Sequence, residues 1–110
     1  MLDIKLDIKL DIGINEKKIS IITTALSLHP KVTKAVIFGS RAKGNFEPYS
    51  DIDIAIYGDL NPIETEGILS DLDDLATAYS FDVVAYNHIK NPDLQDHIDR
   101  VGVVFYENEG

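Results

Sequence analysis

The sequence predicts an α/β fold of the α+β kind, a sheet of short strands with helices packed against it. Three observations carry this. Short apolar runs at Val32–Phe38, 51–57 and Phe81–Ala85 alternate with stretches whose apolar residues recur at helical spacing. Two of those stretches open on the same helix-start pair, Asn61-Pro62 and Asn91-Pro92. Glycines stand where the pattern changes, at Gly13, Gly39, Gly58 and Gly102.

Residues 2–12 repeat Leu-Asp-Ile-Lys with strict apolar/polar alternation. Leu2, Ile4, Leu6, Ile8, Leu10 and Ile12 would share one strand face and the charges the other, so this stretch is expected to be an N-terminal strand or extension. It also suggests homo-oligomerisation. With Leu6 opposite Leu6 of a second copy, Asp3 faces Lys9 and Lys5 faces Asp7, a modestly favourable pairing. The remaining residues, 13–110, are expected to form the working domain. Gly13 ends the repeat. Asn15 caps a helix to about Leu28, with Ile14 and Ile19 as a staple and Ile19, Ile22 and Leu26 as its buried stripe. His29-Pro30 ends that helix.

Val32 to Phe38 is the first core strand. Gly39-Ser40 turns the chain, Arg41 to Gly44 makes one helical turn, and Asn45 to Tyr49 a loop. The second core strand covers 51–57. Asn61 caps a helix to about Ala78, with Glu64 three residues after the cap; Ile68, Leu72, Leu75 and Tyr79 fall at helical spacing. Its acids read as a solvated face. Phe81 to Ala85 is the third core strand. Asn91 caps the last helix, whose stripe is Leu94, Ile98 and Val101; Gly102 stops it and Val103 to Tyr106 forms a final strand. His88 and His97 are expected to have surface or helix-packing roles.

Composition narrows the function. The chain has 110 residues, 45% of them hydrophobic, and no cysteine, which fits one globular domain without disulfides or thiolate metal sites. No stretch is as long as a membrane span, and charges interrupt the N-terminus too often for a secretory signal, so the expected location is the cytoplasm. The net charge is −9 with ten basic residues. That argues against direct binding of long nucleic acids, which rests on Lys and Arg contacts to phosphate. It leaves room for a single nucleotide arriving with its metal.

The chemistry gathers in one stretch. Gly39-Ser40 is followed, after ten residues, by Asp51-Ile52-Asp53. Asp is scarce inside strands and rarely buried unpaired, yet Asp51 and Asp53 sit two apart and so point the same way. Asp82 is a third acid in an otherwise apolar strand. Singly, Asp51 reads as a turn cap and Asp82 as an edge-strand acid. Together beside Gly39-Ser40 they point to metal-dependent phosphoryl or nucleotidyl chemistry. Mg²⁺ takes carboxylate oxygens and keeps its remaining sites for water and phosphate. Gly39 lets the backbone approach a triphosphate, and Ser40 offers a hydroxyl and an N–H group. A P-loop is excluded because Asn45-Phe46 follows Gly44 where Lys-Ser/Thr is needed.

These residues resemble the signature of the DNA polymerase beta-like nucleotidyltransferase superfamily. The string Phe38-Gly-Ser-Arg-Ala-Lys-Gly44 with Ser50-Asp-Ile-Asp53, the later Phe81-Asp82-Val83-Val84, and the ending from Asn91 to Tyr106 are similar to its small branch, the minimal nucleotidyltransferases or MntA-type antitoxins. The resemblance spans about residues 13–107; the N-terminal repeat departs from it. It implies a nucleotidyltransferase fold with a mixed sheet, two Mg²⁺ ions, and ATP as donor. Gly39 and Ser40 would hold the triphosphate. Asp51, Asp53 and Asp82 would be the catalytic metal ligands, with Asp82 also helping to take the acceptor's proton. Arg41 and Lys43 would contact phosphate or the partner. The implied partner is a helical HEPN-type toxin, neutralised by AMP transfer to a hydroxyl. The alternative is an antitoxin that neutralises its partner by complex formation without chemistry. Since this chain carries little beyond the core, the acceptor is expected to bring its own binding surface.

Overall fold

The computed structural model describes residues 13–75 and 77–108. The strand and the self-pairing expected for residues 2–12 lie outside the described residues. Helix α1 spans Glu16–Ser27, strand β1 Lys34–Phe38, the short helix α2 Ser40–Lys43, strand β2 Ile52–Tyr57, helix α3 Pro62–Asp73, strand β3 Phe81–Ala85, helix α4 Pro92–Val101 and strand β4 Val103–Glu107. A 3₁₀ turn at Tyr86–His88, unforeseen from the sequence, links β3 to α4. Among the described residues no helix is long and apolar enough to cross a membrane.

The caps form as the sequence dictates. The Asn15 side chain accepts from the Lys18 N–H at 2.8 Å. Asn61 and Glu64 make a reciprocal capping box, with bonds of 2.7 and 3.0 Å, which satisfies two N–H groups the helix start would otherwise leave unmade. Helix α3 ends at Asp73, short of the expected Ala78. Asp71, Asp73 and Asp74 crowd its C-terminal turn, where the helix dipole disfavours negative charge, and Ala78 takes a left-handed φ of 65°. Leu75 and Tyr79 still pack on the core, from the loop that follows.

The sheet order is β3-β2-β1-β4, with β1 antiparallel to both β2 and β4 and β2 parallel to β3. It is thus the mixed sheet that the family resemblance implies. Its two faces bury different partners. Ile52, Ile54 and Ile56 join Ala35, Ile37, Phe81, Val83 and Phe105 in the core shared with α1 and α3. Each such isoleucine, fully buried, contributes about 1.5–3 kcal/mol. On the other face Val36, Phe38 and Ala55 pack with Ile98 and Leu94 of α4. Side chains alternate along a strand, so seating the isoleucines of β2 under α1 and α3 sends Asp53 to the α4 side.

Candidate active site

The site lies where β1 ends and β2 and β3 begin, on the face covered by α4. Phe38 is the register partner of Asp53 across the antiparallel pair, and Asp53 is the partner of Asp82 across the parallel one. The turn after Phe38 and the two acids therefore meet at one sheet edge. Asp53 is half-buried and Asp82 exposed; Asp51 is exposed and stands one residue before β2.

Gly39 is the tightest point. Its φ of 75° and ψ of −152° are open to glycine and strained for other residues. A Cβ there would lie 2.1 Å from Asp53 Oδ2, so the backbone of the turn lies against the carboxylate. Its N–H donates to His97 Nε2 at 3.2 Å, and the His97 ring stands edge-on to Phe38. The turn then closes through the Lys43 N–H to the Gly39 carbonyl at 3.1 Å and the Gly44 N–H to the Ser40 carbonyl at 2.9 Å. A helix of four residues has little dipole of its own. What it can offer an anion is the Ser40 hydroxyl and single N–H groups.

Burial pushes the Asp53 carboxyl above its usual range, and the charges of Asp82 and Asp51 push the same way. The geometry differs from the ready-made three-carboxylate cluster expected from the sequence. Among the described residues no group of three His, Asp or Glu side chains is drawn close enough to hold a metal ion as it stands. Like charges hold carboxylates apart. The donor set nonetheless suits a hard cation: these are carboxylate oxygens, and Asp53 carries an electrostatic stress that a divalent ion would relieve.

The remaining sequence candidates separate. Lys43 is exposed beside the turn. Arg41 is 1% exposed and faces the next loop. Its Nε and Nη2 donate to the Ser50 carbonyl at 3.2 and 2.8 Å, and Nη2 also to that of Pro48 at 3.2 Å. Its guanidinium lies over the rings of Phe46 and Tyr79. This geometry lends no support to a phosphate contact by Arg41; the side chain braces the segment that delivers Asp51. Sequence reasoning missed His97 as a member of the site. The signal available was its place three residues after Leu94, on the rim of the α4 stripe. An apolar groove of about 450 Å³ runs further along β3, between Pro62, Val84 and Leu94. None of the three aspartates lines it.

The family model of polymerase beta nucleotidyltransferases matches residues 4–110. No curated protein sequence matches the chain. Among solved structures, a toxin–antitoxin complex with AMP-PNP aligns at a TM-score of 0.68 and 24% identity, covering 87% of this chain and 76% of that one. A toxin–antitoxin MntA–HepT structure aligns at 0.66 and 20%, covering 86% and 74%. A structure of tri-AMPylated Shewanella oneidensis HEPN toxin in complex with MNT antitoxin aligns at 0.58 and 18%, covering 83% and 74%. At these identities the likeness establishes the fold.

Proposed function

This chain belongs to the polymerase beta nucleotidyltransferase family, and from that premise we propose that it transfers AMP from ATP to a hydroxyl of a protein partner, a HEPN-type toxin, and so neutralises it. The observation that carries the reading is the register that sets Asp53 opposite both Phe38 and Asp82, with the Gly39 backbone against its carboxylate. It brings the Gly39-Ser40 turn and the paired acids to one edge. The solved toxin–antitoxin structures, one with AMP-PNP and one with an AMPylated HEPN toxin, lend support to the choice of nucleotide and partner.

In this reading Asp51, Asp53 and Asp82 would hold Mg²⁺. The ions would supply Lewis-acid stabilisation of charge on the phosphates. The chain's own groups do the rest. The Ser40 hydroxyl and N–H hold the triphosphate at the end of β1. Gly39 keeps that turn close to Asp53. Asp82, exposed on the sheet's edge strand, accepts the proton of the acceptor hydroxyl. The hydroxyl oxygen bonds to the α-phosphorus, the bond to the bridging oxygen breaks, and pyrophosphate leaves.

The test is incubation of the chain with its partner, Mg²⁺ and ATP labelled in the α-phosphate. Label on the partner that disappears with Asp53→Asn is the expected result. Neutralisation undiminished by Asp53→Asn, with no label transferred, would instead establish masking by complex formation.

A further inference from the structure

Helix α4 supplies none of the residues singled out for chemistry, yet it reaches the site through His97. Ile98 seats the helix, 2% exposed and packed with Val36, Phe38 and Ala55. That places the neighbouring His97 ring edge-on to Phe38, with centroids 6.0 Å apart and planes at 80°. From there His97 Nε2 accepts the Gly39 N–H at 3.2 Å. The opposite side of Gly39 lies against Asp53 Oδ2. Gly39 is thus clamped between a ring nitrogen on one element and a carboxylate on another.

We propose that His97 is a positioning residue of the nucleotide site: by accepting the Gly39 N–H it fixes the β1–α2 turn against Asp53 so that Ser40 meets the phosphates. The proposal rests on the reading of that turn as the triphosphate grip. Two consequences follow from the chemistry of the bond. An accepting Nε2 needs its lone pair, so the ring proton resides on Nδ1. And the Gly39 N–H, already donated, leaves the Ser40 N–H and hydroxyl as the groups that face an anion. A ring present only to fill space would impose neither condition.

Two substitutions separate the bond from the packing. Phenylalanine keeps a ring against Phe38 but has no lone pair. Glutamine loses the ring but can bring a carbonyl oxygen to the place of Nε2. The experiment uses the full chain labelled with ¹⁵N, measures the scalar coupling across the N–H···N bond between Gly39 and His97, and titrates Mg²⁺ with a non-hydrolysable ATP analogue by calorimetry. The expected result is a resolved coupling in the wild type. His97→Phe then binds the analogue about tenfold more weakly, the scale of loss typical for groups that orient ligands, while His97→Gln recovers most of the affinity. Absence of the coupling, wild-type affinity in His97→Phe, or equal losses in both variants would overturn the proposal. A wild-type chain that binds the analogue and follows this pattern but transfers no AMP refutes the proposed function and leaves the role of His97 standing. One that binds no nucleotide overturns both.

Discussion

Replacing Gly39 with alanine probes the contact on which the site turns. Two costs add. The backbone at φ 75° and ψ −152° lies in a region closed to side-chain-bearing residues, worth about 1–3 kcal/mol of strain. The new methyl would also lie 2.1 Å from Asp53 Oδ2 and 3.1 Å from its Cγ, so the carboxylate must swing away from a position set by β2. Moving it adds on the order of 1 kcal/mol, the cost of an off-rotamer side chain. A total of about 2–4 kcal/mol lowers the melting temperature by roughly 10–25 °C in a domain of this size. Gly44→Ala is the internal control. Gly44 has φ 84°, but nothing lies within 4 Å of an added Cβ, so only the left-handed penalty of about 1–2 kcal/mol applies. Urea and thermal melts of both variants give the comparison. A second cycle in an Asp53→Ala background separates the terms, since the clash disappears there and the backbone strain does not. Gly39→Ala melting no lower than Gly44→Ala would refute the reasoning.

Arg41→Met should cost about 2–4 kcal/mol in urea unfolding, because the Pro48 and Ser50 carbonyls lose charge-assisted partners; lysine should recover little, being a single-point donor in place of a fork. Asp53→Asn should stabilise the ion-free chain at neutral pH by about 0.5–1 kcal/mol, the discounted scale of relieved surface charge. Burial and the neighbouring acids raise the folded carboxyl above its ordinary value of 3.8, so its ionised form opposes folding. The advantage of asparagine is full above the raised folded value and is lost as pH falls through it toward 3.8. Mg²⁺ with nucleotide at about 100 times its Kd should reverse the order, adding about 2.7 kcal/mol to the wild type. Calorimetric melts between pH 7 and pH 4 check both signs; an asparagine variant less stable than wild type at pH 7 without ion contradicts the repulsion.

The local signals proved the most legible. Asn15, Asn61 and Asn91 mark their helix starts, and Gly102 stops α4 before β4, because capping is written in adjacent residues. The end of α3 was not. Helical spacing runs on through Leu75 and Tyr79, and only the sum of three acids at the C-terminal turn against the dipole, with the reversal at Ala78, overrides it. The same divide runs through the site. Gly39, Asp51, Asp53 and Asp82 are conspicuous by type and spacing. Arg41 reads in one dimension as a contact to phosphate or the partner, while its bonds to carbonyls seven and nine residues on appear only in the fold. His97 shows nothing in its neighbours, since its partner lies 58 residues away. Long-range hydrogen bonds to main-chain groups leave no periodicity behind.

The pairing of Asp53 with Asp82 follows from the core rather than from any attraction between them. Left to themselves the two would avoid each other. The β2–β3 register is set by the apolar residues that alternate with them: Ile52 pairs with Phe81 and Ile54 with Val83, all four buried under α1 and α3. Sliding β3 by one residue would carry Phe81 and Val83 out to the α4 face and Asp82 into the core. Burying an unpaired carboxylate there costs far more than the repulsion it would escape. Hydrophobic burial thus holds two like charges in register at the sheet edge, where a bound divalent cation would relieve their repulsion.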